Sequence, residues 1–230
     1  MRLVEIDGKA LLRRHGIAVP DGLLFAPGED VPAQASGWPG FVLKAQILEG
    51  GRGKSGLVRA CRTAADLRAA RRLILANLED ADTPLLLEEA VPIARAIFVA
   101  VRVDGGMQRP DILIAPQVSG NVEENAKLAR IPVDTSDAVT PEMIHAAIAK
   151  LFPADLAAQL SRYAARLPDI VRQEKLDLLE INPLALTAEG RLIACNVTIV
   201  RNDSADSRSD PPEFPISRAL SERALARRPA

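Results

Sequence analysis

The chain has 230 residues, 48% hydrophobic and 26% charged, with 29 Lys and Arg against 30 Asp and Glu, for a net charge of −1. That balance excludes a bulk electrostatic pull toward nucleic acid or a membrane surface, and 3% aromatics with one tryptophan and one tyrosine leave no stacking platform for bases. Cys61 and Cys195, solitary and far apart in sequence, form neither a disulfide framework nor a structural zinc set. With no signal-like segment and no apolar run of about 18 residues, the expected compartment is the cytoplasm.

In chain order, Leu3 to Gly16 reads as a helix with Leu3, Ile6, Ala10 and Leu11 on one side, Asp7 and Gly8 as a possible early break, and Gly16 at the C′ position. Asp21 to Pro27 carries a short strand, and 30–37 a connector or short helix. Phe41 to Ala45 is an apolar strand interrupted by Lys44, followed by a glycine loop and a second strand, Leu57 to Cys61. Thr63-Ala64-Ala65-Asp66 is a capping box for a helix ending near Asn77, its repeated arginines on a solvated face. Pro84 to Ala90 is a buried strand ending in Glu88 and Glu89. Residues 93–104 and 111–117 pair across a Gly105-Gly106 turn, and 118–127 is a polar connector. Helices are expected over 141–152 and 153–166. A last hairpin runs Leu176 to Leu186 and Leu192 to Val200, and 209–230 reads as a flexible tail.

The glycine loop, Gly50-Gly51-Arg52-Gly53-Lys54-Ser55-Gly56, concentrates backbone freedom beside Lys44, Arg52 and Lys54. Such a combination lets a phosphate approach the main chain. A Walker A reading requires a glycine where Leu48 stands. Gly51-x-Gly53-x-x-Gly56 fits the dinucleotide fingerprint, but a strand follows in place of a helix, and arginines fill the region where the ribose-binding acid is due. A strand–loop–strand flap over nucleotide phosphates remains, beside the plainer reading of a glycine-rich hairpin turn. In the last hairpin, Glu180 and Asn182 share a strand face. The turn brings Asn182 opposite roughly Cys195 or Asn196, which makes Glu180, Asn182 and Asn196 a candidate Mg²⁺ harness.

With both constellations in view, the chain resembles the ATP-grasp part of the succinyl-CoA synthetase β-subunit family. The resemblance rests on Leu43-Lys44-Ala45-Gln46, Gly50-Gly51-Arg52-Gly53-Lys54, Leu87-Glu88 and Leu179-Glu180-Ile181-Asn182-Pro183-Leu184, in an order that continues to Asn202-Asp203-Ser204-Ala205. It implies an α+β, ATP-grasp fold: one domain over 1–208, with a first subdomain at about 18–92, a second at 1–17 plus 93–208, and the nucleotide between them. It further implies ATP and Mg²⁺ as cofactors. Lys44 and Gly51 to Gly53 would hold phosphates, with Arg52 and Lys54 in the same set and Glu88 at the adenine hinge. Glu180 and Lys44 would serve phosphoryl transfer, and Asn182 and Asn196 the metal.

The implied reaction is phosphorylation of a histidine on a CoA-binding partner subunit. The partner then forms an acyl phosphate from a carboxylic acid, and CoA captures it. The family's flavodoxin-type ligase domain is expected to sit on that partner, as in the split ADP-forming acyl-CoA synthetases, or to be absent. Two positions depart from the family pattern: Asn196 stands for a metal-binding aspartate and Ala96 for a ribose-binding glutamate. They imply weaker binding of a hard cation, and motivate an alternative expectation of a degenerate paralogue that binds nucleotide or serves as a scaffold without turnover. A third possibility, an amide-forming ATP-grasp ligase, lacks a legible acceptor site.

Overall fold

The computed structural model describes residues 1–25, 35, 37–80, 82–103, 109–116, 127–133, 139–202 and 214–226. Four antiparallel strands make a small sheet: β2 (Gly22–Phe25), β3 (Phe41–Ala45), β4 (Val58–Cys61) and β5 (Leu85–Glu89), in the order β2-β5-β3-β4. Strand period decides what each face carries. Phe41, Leu43 and Ala45 point into a core shared with Leu85 and Leu87. Lys44, out of phase with them, faces the other way, paired in register with Val58 and Leu86. Helix α2 (Ala64–Leu75) closes the core with Leu67, Ala70 and Ile74. The expected capping box is present: Thr63 Oγ1 accepts from Asp66 N at 3.1 Å and the Asp66 carboxylate accepts from Thr63 N at 3.0 Å, worth about 1 kcal/mol. Arg68 and Arg72 are exposed.

The larger sheet has seven strands: β1 (Arg2–Leu3), β6 (Arg95–Val103), β7 (Pro110–Pro116), β8 (Ala129–Pro132), β9 (Leu176–Leu186), β10 (Leu192–Ala194) and β11 (Val197–Arg201). Their order is β1-β11-β9-β6-β7-β8, with β10 also on β9. Helices α1 (Glu5–Arg14), α3 (Pro141–Ile148), α4 (Ala154–Ala164) and α5 (Leu167–Gln173) contribute to its main core through residues such as Leu11, Leu12, Ile144, Leu160 and Ile170. In β9 the alternation is again informative. Leu179 and Ile181 are fully buried in this core, so Glu180 and Asn182 lie on the opposite face.

Several expectations need correction. Arg2 and Leu3 pair with Val200 and Ile199, so the first helix begins at Glu5. Asp7 and Gly8 do not interrupt it: Gly8 N donates to Val4 O at 3.0 Å, and a Cβ at Gly8 would lie 3.2 Å from Val197 Cγ2. Here the glycine serves a close helix–strand approach. Gly16 fits its expected role, with φ of 67°. The sequence reading also missed β8 and α5. The last hairpin is not continuous, because its second arm breaks into β10 and β11 at Cys195 and Asn196.

The tail expectation fails over 215–226, where α6 (Pro215–Ala226) lies against α1. Ser217 N and Oγ both donate to the Asp7 carboxylate, at 2.7 and 2.6 Å. Buried Phe214 lies 5.7 Å from the Arg14 guanidinium and 5.2 Å from that of Arg201, within cation–π range. The Gly105-Gly106 turn, most of the polar connector and residues 203–205 lie outside the described residues.

Candidate functional site

A cleft of about 580 Å³ opens between the two sheets. Its floor is built by three elements meeting at a break in a fourth. Strand β3 presents Lys44, strand β5 presents Glu88, and α1 presents Glu5 and Lys9 one turn apart. The fourth contribution is the Cys195 carbonyl, exposed where β10 ends before β11 begins. Lys44 Nζ donates to Glu5 at 2.6 Å, to Glu88 at 2.7 Å and to the Cys195 carbonyl at 2.8 Å. Lys9 Nζ donates to both the same carboxylates and to the same carbonyl, the last at 2.7 Å. Both ammonium groups therefore have three acceptors, their full donor complement.

These four residues are 1–5% exposed, and charges so buried persist only when paired. Burial pushes the Glu5 carboxyl up, but Lys44, Lys9 and Arg52 together hold it well below the usual carboxylate range. Burial pulls the Lys9 ammonium below the ordinary lysine value, against the attraction of Glu5. For Lys44 burial acts the same way and loses to Glu5 and Glu88, so its pKa rises. With Arg52, three cations face two carboxylates, and the floor of the cleft carries an excess positive charge. Gln46, fully buried, fixes α1 in this arrangement: its side-chain oxygen accepts from Ile6 N at 3.0 Å, an otherwise orphaned donor in the helix's first turn.

The glycine loop forms the rim. Lys54 N and Ser55 N donate to Gly51 O at 2.9 and 3.2 Å, Gly56 N to Gly53 O at 3.3 Å, and Leu57 N to Arg52 O at 2.9 Å. Among the described residues the amides of Gly51, Arg52 and Gly53 have no such acceptor. These three amides are thus available to an anion. Gly51 and Gly56 adopt φ of 79° and 69°, the left-handed region where glycine is unstrained. Lys54 lines the cleft from an exposed position, whereas Arg52 turns inward.

Across the cleft stand Glu180, Asn182 and Asn196. Asn182 N donates to the Asn196 carbonyl at 2.9 Å, the pairing expected from the hairpin. Burial pushes the Glu180 carboxyl up, opposed by a hydrogen bond to Asn182 and by Arg2. Cys195 is likewise pushed up by burial, which favours the thiol over the thiolate.

The arrangement does not suit a divalent ion. Asn196 Oδ1 accepts from Arg52 Nη2 at 2.9 Å and Asn196 Nδ2 donates to the Asn182 carbonyl at 3.0 Å. A metal bound at that amide oxygen would share it with a guanidinium, and two cations repel. Among the described residues no group of three or more His, Cys, Asp or Glu side chains is placed to hold a metal.

All the sequence-derived site residues converge on this cleft: Lys44, Gly51, Arg52, Gly53, Lys54, Glu88, Glu180, Asn182 and Asn196. The hinge role expected of Glu88 is not apparent in its bonding, which goes to Lys9 and Lys44. Ala96 lies in β6, opposite Ala185. Sequence reasoning missed Glu5, Lys9 and the Cys195 carbonyl. The one signal for them was the Glu5/Lys9 spacing, a glutamate four residues before a lysine on a helix.

Comparison with known proteins places this geometry in context. Residues 2–186 match the family model of the ATP-grasp domain. The chain is 33% identical over 223 residues to the succinate–CoA ligase [ADP-forming] subunit beta of Syntrophotalea carbinolica, covering 89% of this chain and 57% of that protein. It is 34% identical over 222 residues to the corresponding subunit of Acidithiobacillus ferrooxidans, with the same coverage. The chain thus spans little more than half the length of these curated relatives. Among solved structures, a dinucleotide-forming acetyl-coenzyme A synthetase 1 of Ca. Korarchaeum cryptofilum, in complex with coenzyme A and Ca-AMPCP, has a TM-score of 0.70 at 18% identity, covering 87% of this chain and 93% of that one. ATP citrate lyase from Methanothrix soehngenii has a TM-score of 0.64 at 19% identity, covering 88% of this chain and 51% of that one. At such identities these two matches speak for the fold.

Proposed function

Because the chain belongs to the ATP-grasp family, we propose that it is the ATP-binding subunit of an ADP-forming carboxylate–CoA ligase, and that it phosphorylates a histidine on a CoA-binding partner subunit. The small sheet with its helix would be the first ATP-grasp subdomain, at about 18–92, and the larger sheet the second, at 1–17 and 93–208. One observation carries the reading: three free loop amides, Gly51 to Gly53, and a positively charged floor lie on one side of a cleft, with Glu180 on the other. A triphosphate needs that complement of amides and charge, and phosphoryl transfer asks a protein mainly for position and charge neutralisation.

In this reading the amides of Gly51 to Gly53 receive phosphate oxygens, and Lys54 closes over them from the rim. Lys44 acts through its field, since its three donors are engaged. Glu180 orients the incoming imidazole. The γ-phosphoryl passes to the imidazole nitrogen as the bond to the β-phosphate oxygen breaks, ADP leaves, and the partner completes the ligation with the acid and CoA. The test is transfer from γ-labelled ATP to a histidine on the subunit that co-purifies with the chain. Lys44→Ala and Glu180→Ala should each abolish the label, and a labelled partner in the double variant refutes the reading.

The arrangement at Asn196, together with Ala96, favours a second reading, a nucleotide-binding subunit without turnover. It predicts ATP binding by calorimetry and no labelled partner in the wild type.

A further inference from the structure

One side chain joins the glycine loop to the Asn182–Asn196 patch. Arg52 is 10% exposed in its side chain, although Gly51, Gly53 and Lys54 around it are exposed. Its Nη2 donates to Glu5 Oε2 and, at 2.9 Å, to Asn196 Oδ1, while Nη1 donates to the Ala45 carbonyl at 3.1 Å. A guanidinium has five N–H donors. Three are used here, and among the described residues the second Nη1 hydrogen and the Nε hydrogen have no acceptor. Asn196 is fixed in turn by the Asn182 carbonyl, so the guanidinium is held at both ends.

The residue type at 196 decides what this clamp does. Arg52 already pairs with Glu5, so a carboxylate at 196 would give it a second anionic partner or exchange it for a metal ion. An amide accepts the same hydrogen bond and adds no further negative charge. The clamp therefore has two attributes that suit a bound cation's place: a fixed position against the loop that offers Gly51 to Gly53 amides, and membership of a floor in which three basic side chains, Lys9, Lys44 and Arg52, face two carboxylates, Glu5 and Glu88. A guanidinium also matches phosphate oxygens in geometry.

We infer that Arg52, clamped by Asn196 and Glu5, fills the cation position of this cleft, so that the chain binds a nucleoside polyphosphate without a divalent metal ion. The inference rests on the nucleotide-binding reading above and specifies the ionic form of its ligand. It also accounts for the asparagine at 196, which serves the arginine.

The test is calorimetric titration of the full chain with ATP, once in EDTA and once with excess Mg²⁺. The expected dissociation constants agree within about threefold. Tightening by more than about tenfold with Mg²⁺ overturns the inference while leaving nucleotide binding intact. Absence of binding in both buffers refutes the nucleotide reading itself, and the inference falls with it. Arg52→Gln should weaken binding in EDTA by at least about tenfold, with Mg²⁺ recovering part of the loss. Unchanged affinity in EDTA overturns the proposal. Asn196→Asp, checked for folding by thermal melting, should convert metal-indifferent binding into Mg²⁺-dependent binding. If the aspartate variant remains indifferent to Mg²⁺, Asn196 does not set the cation requirement and the inference is wrong.

Discussion

Glu5→Gln tests the physical account of the cleft floor most directly. The Glu5 carboxylate is buried and accepts from Lys9 at 2.7 Å, from Lys44 at 2.6 Å and from Arg52. Glutamine preserves the shape and removes the charge. Three cations then face Glu88 alone, and the amide hydrogens are turned either toward Arg52, which takes Oε2, or toward both lysines, which share Oε1. Breaking a buried ion network by deleting one partner costs about 3–5 kcal/mol, a large share of the roughly 5–15 kcal/mol that holds a typical domain folded. At about 2–4 °C per kcal/mol for a domain of this size, the melting temperature should fall by roughly 6–20 °C. The assay is urea denaturation with a parallel thermal scan. The discriminating comparison is Glu5→Gln/Lys9→Met, in which two cations again face one carboxylate. If charge imbalance is the cause, the double variant is more stable than the sum of its parts predicts by more than about 0.5 kcal/mol. A single variant within about 1 kcal/mol of wild type, or strict additivity in the cycle, refutes the reasoning.

The same carboxylate sets an acid limb. Its folded pKa is depressed below the ordinary 4.5, so its contribution is fully present above that value and is lost as pH falls toward the folded one. The stability gap between wild type and Glu5→Gln should accordingly narrow between about pH 5 and pH 2, as measured by urea midpoints. Gly51→Ala places a Cβ at φ of 79° in open space. With no clash to add, it should cost only the roughly 1–2 kcal/mol of left-handed backbone, seen as a loop-local rise in amide exchange at 52–57. Ser217→Ala removes one of two donors to the buried Asp7 carboxylate. It should destabilise by about 1–3 kcal/mol in urea, and no change would show that the Ser217 amide and Phe214 hold α6 without the hydroxyl.

How much of the fold and the cleft is legible in the sequence depends on whether a residue's surroundings are local. The period-2 alternation of Leu43 with Lys44, and of Leu179 and Ile181 with Glu180 and Asn182, separates core from cleft on its own. The glycine loop announces itself by composition. Glu5 and Lys9 do not, because charged residues on an amphipathic helix read as solvated. Their burial depends on β3 and β5 arriving from a different sheet. The break at Cys195–Asn196 is hidden because Leu192 to Val200 is almost uniformly apolar and reads as one strand. Helix α5 is obscured by Pro168, which looks like a boundary yet occupies the first turn. Helix α6 carries only a short apolar stripe, Ile216, Ala219 and Leu220, and its docking depends on Asp7, more than two hundred residues away in sequence.

The position of α1 has a mechanical side. Its first turn follows β1 of the larger sheet, and Gly8 packs closely on β11, so the helix travels with that sheet. Yet Glu5, Lys9 and the Ile6 amide bond to Lys44, Glu88 and Gln46, which belong to the small sheet or its edge. The helix is therefore pinned in both halves. Any motion that draws the sheets apart by more than about an ångström lengthens these bonds past hydrogen-bonding range. The ion-paired floor thereby resists separation of the two sheets, and Arg52, bonded to Glu5 and Asn196, ties the glycine rim to the same bearing.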